Sequence, residues 1–195
     1  FNYKSFSGWF FLFFSLYLVS GLFESKNVRL LSGILPPEFY SINENNNDCP
    51  LGLNCFKDYE SGKKYAIDND KIILLDFTGW ACANCRRMEE NVWSKPAIFN
   101  LLDSEFVIIS LYVDDRSKLS EEEEFKYLNS SGNIQYINNV GRRWSLFQQI
   151  NFSNASQPYY VAMMPSGKIL TEPIQYASEK NFENWLRLSL EESIK

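Results

Sequence analysis

The chain has 195 residues, and its 19 basic against 24 acidic side chains leave a net charge of −5 and a pI near 4.9, which excludes a surface built to neutralise nucleic-acid phosphates. It contains no histidine, so Ser-His and Cys-His triads, mixed His/Cys zinc sites, His-ligated haem and imidazole proton shuttles are removed at once. The chemistry left to it must use its 4 cysteines, its carboxylates, lysines or hydroxyls.

The chain opens on an apolar run. Residues 6–23, FSGWFFLFFSLYLVSGLF, carry no formal charge and are bounded by Lys4 on one side and by Glu24, Lys26 and Arg29 on the other. Eighteen residues rising ~1.5 Å each cover about 27 Å as a helix, close to a thin hydrocarbon core. The run has no polar face, and it predicts a transmembrane helix within residues 1–34. A cleaved secretory signal with Val19-Ser20-Gly21 as its small-residue site is the alternative. The first residue is Phe rather than Met, which predicts the tail of a longer protein.

Residues 35–55 read as a tether: Leu35-Pro36-Pro37 stops the helix, the Asn-rich run 43–48 has nothing to bury, and Cys49 and Cys55 flank Pro-Leu-Gly-Leu-Asn. Residues 56–195 read as one globular α/β domain. A helix is expected through about Asp68, with Phe56, Tyr59 and Ala66 near one face. Lys71 to Phe77 (KIILLDF) and Phe106 to Val113 (FVIISLYV) are nearly continuous apolar runs, the pattern of strands buried on both faces. Between them the chain reads as helical from about Cys82 to Asp103, broken at Pro96, with Ser94 placed to cap the second piece. Strand, helix, strand predicts a right-handed parallel crossover.

After Val113 the chain turns polar through Asp114-Asp115-Arg116 and Glu121 to Glu124, an acidic block that reads as a solvated face. Tyr159 to Met164, the turn Pro165 to Lys168, and Ile169 to about Ile174 read as an antiparallel hairpin. Ser178 caps a closing helix with Phe182, Trp185, Leu186 and Ser189 on one side. The sheet is therefore expected to be mixed.

The informative segment is Asp76 to Met88, DFTGWACANCRRM, which places C-x-x-C where a buried strand gives way to a helix. Backbone N–H groups at a helix start favour a thiolate there. Cys85, Met88 and Val92 follow helical spacing, so Cys85 is expected to turn inward and Cys82 to sit at the exposed tip. Arg86 and Arg87 add positive potential nearby. The exposed thiolate attacks a substrate disulfide and the sheltered thiol resolves the mixed disulfide. Without histidine, the candidate proton acceptor for that second thiol is Asp76, an acid inside an apolar strand whose burial raises its pKa. The alternative for Asp76 is a strand-end carboxylate satisfied by backbone donors.

These residues resemble the thioredoxin fold, in the DF strand, the Trp before C-x-x-C, the acid six positions upstream, and Gln157-Pro158 opening a strand. They are more similar still to the C-terminal extracytoplasmic domain of the thiol:disulfide interchange protein DsbD family. The similarity rests on Pro36-Pro37, Cys49 to Phe56, Asp76 to Trp93 and Ser156 to Val161 (SQPYYV), and it covers essentially the whole chain. It implies a thioredoxin-like domain behind the last helix of a membrane domain in the bacterial inner membrane, on the periplasmic side.

The implied activity is that of a protein-disulfide reductase. Electrons would pass from cytoplasmic thioredoxin through the membrane domain to oxidised periplasmic proteins, supporting disulfide isomerisation and cytochrome c maturation, with no cofactor beyond the cysteine pair. It assigns redox roles to Cys82 and Cys85, a cis-proline facing them to Pro158, and proton acceptance to Asp76. Trp80 departs from the thioredoxin pattern, since Ala81 separates it from Cys82, and is assigned with Arg86 only a supporting part. Cys49 and Cys55 read as a structural disulfide or as a second pair that exchanges with the first. A zinc site built from all four cysteines and a thioredoxin-like binding module without turnover are the competing classes.

Overall fold

The computed structural model describes residues 8–17 and 49–195. Residues 8–17 are helical (α1), and among the described residues no helix is long and apolar enough to cross a membrane. The rest of the predicted span over 6–23, Pro36-Pro37 and the run 43–48 lie outside the described residues.

The sheet has the order β1-β3-β2-β6, made of β1 (Cys55–Phe56), β3 (Phe106–Tyr112), β2 (Ile72–Thr78) and β6 (Tyr159–Met163). β1, β3 and β2 run parallel, and β6 is antiparallel to β2. All residues of β2, β3 and β6 are buried, as the unbroken apolar runs predict. Alternation along each strand splits the core in two. Ile72, Leu74, Phe106, Ile108, Tyr160 and Ala162 face one side, with Met88, Val92, Trp93, Leu102 and Phe182. Ile73, Leu75, Phe77, Val107, Ile109 and Val161 face the other, with Ala66 and Trp144.

The helices follow the expected order, with local corrections. α2 (Tyr59–Asp68) is capped by Asp58, whose side chain accepts from the Ser61 N–H; Phe56 belongs to β1 rather than to this helix, although it packs in the same core as Tyr59 and Ala66. α3 (Ala83–Met88) runs into a π-turn (Glu89–Trp93), and α4 (Pro96–Glu105) starts afresh at the proline. Ser94 does not cap α4. Its hydroxyl donates back to the Glu90 carbonyl, and Lys95 takes the cap position without a side-chain bond because Pro96 at the first helical position needs no N–H partner.

β4 (Phe125–Leu128) and β5 (Ile134–Ile137) form a separate antiparallel pair. α5 (Val140–Phe152) follows, capped by Asn139. The expected second arm of the C-terminal hairpin reduces to single bridges, Met163 to Ile169 and Tyr160 to Ile174, because Pro173 interrupts it. α6 (Glu179–Ser193), capped by Ser178, buries Phe182, Trp185, Leu186 and Ser189.

Cys49 and Cys55 form a disulfide that closes a seven-residue loop onto β1. Chain entropy makes a loop this short worth about 2 kcal/mol. The Cys49→Ala/Cys55→Ala double variant is expected to lose about that much stability in urea unfolding and to keep its disulfide-exchange activity. Loss of exchange in a folded variant would make this pair part of the redox chemistry.

Candidate active site

Cys82 ends the loop after β2 and is the N-cap of α3, and Cys85 lies one turn further in; the two form a disulfide. Cys85 is 1% exposed, whereas Cys82 is only half-buried, the asymmetry expected from helical spacing. The Cys85 N–H donates to Cys82 Sγ at 3.2 Å. Cys82 opens onto a cavity of about 360 Å³ that it shares with Ala83, Asn84, Val113, Asp114 and Gln157. The Gln157-Pro158 peptide is cis; Gln157 lines the cavity and Pro158 immediately precedes β6.

Beneath α3 lies a buried polar cluster that follows from strand parity. Asp76, Thr78, Ser110, Tyr112 and Tyr160 all lie on the strand face that meets α3 and the π-turn, and register sets Asp76 beside Ser110 and Tyr160. Asp76 Oδ2 accepts from the Ser110 hydroxyl at 3.0 Å, and Oδ1 is buried with no hydrogen-bond partner. Burial pushes the Asp76 pKa up to about 7, although the Arg86 charge and the Ser110 hydrogen bond pull it down. The backbone donors that would have made it an ordinary strand-end carboxylate are not what holds it.

Arg86 turns into this cluster rather than out to water. Its Nη2 donates to Thr78 Oγ1 at 3.1 Å, its Nη1 lies 2.6 Å from Glu89, and it hydrogen-bonds the Tyr112 hydroxyl. The guanidinium is thus engaged inside the cluster by Glu89 and Thr78 rather than turned out beside Cys82. Arg87 is exposed and reaches Asn84. Burial also pushes Glu89 up to about 8, opposed by Arg86 and reinforced by Asp76. Sequence reasoning missed Glu89. Its signal was the spacing of four from Cys85, which puts both on one helical face.

Trp80 stacks on Tyr112 with ring centroids 4.0 Å apart, and Lys57 Nζ sits 5.4 Å from its ring centre. It therefore anchors the loop before Cys82 to the end of β3. All 4 cysteines are paired in the two disulfides, so in this oxidised state none is a thiolate ligand. Among the described residues no group of three or more metal-ligating side chains converges.

No curated protein matches the sequence. A family model described as thioredoxin-like matches residues 54–134. Among solved structures, a DsbH oxidoreductase superposes with a TM-score of 0.51 at 14% identity, over 71% of this chain and 85% of its own. A thioredoxin from Thermus thermophilus gives 0.48 at 18% identity, over 69% of this chain and 85% of its own. A disulphide isomerase from Xylella fastidiosa gives 0.44 at 13% identity, over 66% and 85%. The chain has a thioredoxin-like fold, and its residues 54–134 match the family model that carries that description.

Proposed function

We infer that the protein is a thiol-disulfide oxidoreductase that works as a protein-disulfide reductase through Cys82 and Cys85. The observation that carries this reading is the asymmetry of the pair: an accessible sulfur at the start of α3 and a sheltered one a turn later. The Cys82 thiolate attacks one sulfur of a substrate disulfide, forming a mixed disulfide and expelling the other substrate sulfur as a thiolate. Asp76 takes the Cys85 proton, and the Cys85 thiolate attacks Cys82 Sγ. That closes the Cys82–Cys85 disulfide and releases the second substrate thiolate. Two electrons pass from the dithiol to the substrate.

The reducing direction is supported by the surroundings of the pair. The Arg86 guanidinium is engaged within the buried cluster by Glu89 and Thr78, and two carboxyl groups lie under α3, so little favours the Cys82 thiolate over the disulfide. The wider reading follows the sequence resemblance. The domain sits behind a membrane segment on the periplasmic face of a bacterial inner membrane. It receives electrons through a membrane domain from cytoplasmic thioredoxin and delivers them to oxidised periplasmic proteins, supporting disulfide isomerisation and cytochrome c maturation.

Equilibration with glutathione buffers tests the direction. A potential well below that of a strong oxidant, ~−120 mV, is expected, and a value at that level would make the protein an oxidase instead. Labelling with a thiol reagent that does not cross membranes, applied to intact cells, tests the placement: protection of Cys82 until the membrane is opened would put the domain on the other side.

A further inference from the structure

The backbone ahead of Cys82 is held by a side chain with no other evident task. Asp114, just past the end of β3, accepts the Trp80 N–H at 2.8 Å through Oδ1 and the Ala81 N–H at 2.9 Å through Oδ2. The next N–H, that of Cys82, is spent on the Gly79 carbonyl at 3.1 Å. The fit is close: a Cβ on Gly79 would lie 3.0 Å from the Asp114 carboxylate.

The segment that carries Asp114 is itself fixed. The Val113 N–H bonds the Thr78 carbonyl, the Gly141 N–H at the start of α5 bonds the Asp115 carbonyl, and Asp115 Oδ1 accepts from the Ser117 N–H. A Cβ on Gly141 would come within 2.6–2.7 Å of the 113–115 backbone, so α5 is packed directly against this turn. Asp114 is exposed, and it forms the wall of the cavity onto which Cys82 opens. An exposed aspartate anchored this way is part of the site's construction.

We propose that Asp114 is a positioning residue of the redox site: it clamps the Gly79–Ala81 loop and, by occupying two N–H groups and placing a negative charge at the cavity mouth, disfavours the Cys82 thiolate and keeps the couple reducing. The inference rests on the proposed function only in taking Cys82 as the attacking sulfur. The N–H groups of Trp80 and Ala81 are taken by Asp114 and that of Cys82 by Gly79, and the Cys85 N–H is the donor that reaches the sulfur. Other titratable groups lie on the elements around the site. From the α3 side these are Arg87, exposed, and Arg86, paired with Glu89. From the strands they are Asp76 and Tyr112, and Lys57 lies over the Trp80 ring. Arg116, Asp115 and Arg142 line the adjoining cavity, where Arg142 is held by the Tyr136 carbonyl. Asp114 is the carboxylate among them that binds the loop adjacent to the sulfur.

The test is the pH profile of Cys82 alkylation in the reduced full chain, with the modified cysteine identified by mass spectrometry. Asp114→Asn keeps one acceptor and removes the charge, and its Cys82 midpoint is expected to fall by about one pH unit, a tenfold gain in thiolate below the midpoint. Asp114→Ala is expected to fall at least as far and to change Trp80 fluorescence as the loop loosens. An unchanged or raised midpoint in a folded Asp114→Asn protein would overturn the proposal, because removing the charge and one of the two acceptors would then have left the Cys82 thiolate no easier to form. The proposed function is judged separately, by whether the wild-type protein reduces a disulfide substrate.

Discussion

Cys82→Ser is expected to abolish disulfide reduction, whereas Cys85→Ser is expected to stall with substrate bound covalently through Cys82. The difference comes from position alone. Cys82 is the half-buried N-cap of α3 at the mouth of a cavity, and Cys85 is 1% exposed. A bulky protein disulfide can reach the first sulfur and not the second. Once the mixed disulfide forms, Cys85 sits three residues away on a rigid turn, and its attack is effectively unimolecular. Removing it leaves release to thiols from solution, slower by on the order of 10³-fold or more. Non-reducing electrophoresis with a model disulfide substrate separates the outcomes: an adduct with Cys85→Ser and none with Cys82→Ser. Equal trapping by both would contradict the assigned order of attack.

Asp76→Asn is the second large effect. Burial holds the Asp76 pKa at about 7, so the carboxylate becomes a competent acceptor for the Cys85 proton only as the pH rises through neutrality. Turnover of the wild-type protein is expected to climb with a midpoint near 7. The Asn variant is expected to lose that limb and to run about 10²-fold slower at pH 8. If the limb persists in Asp76→Asn, Asp76 is not the acceptor and Glu89, at about 8, takes its place.

The same carboxyl links stability to pH. Its folded pKa lies above its unfolded value of 3.8, so the stability it contributes is whole below that value and is lost as the pH rises through about 7. A shift of that size corresponds to roughly 4 kcal/mol. Urea unfolding of the oxidised protein is therefore expected to give lower stability at pH 8 than at pH 5, and the Asn variant a smaller decline.

The central crossover was legible because β2 and β3 are buried on both faces and carry unbroken apolar runs, and because Pro96 marks the break in the helical region. The cysteine asymmetry followed from the spacing of Cys85 and Met88. The β4–β5 pair was not legible: Phe125, Leu128, Ile134 and Tyr136 remain exposed, so no buried face imposes an alternating pattern. The Asp76 cluster was legible only in part. Placing Ser110 and Tyr160 beside it requires the strand register, and Arg86 turns inward because Glu89 and Thr78 are there to receive it. Asp114 was hidden for a similar reason. It lies more than thirty residues from the loop it binds, in a segment that reads as solvated.

The most direct measurement is the order of alkylation of the reduced protein at neutral pH, read by peptide mass spectrometry. Modification at Cys82 well ahead of Cys85 is the predicted result. Cys85 reacting first, or the two reacting at the same rate, would contradict a mechanism in which one sulfur attacks and the other waits inside.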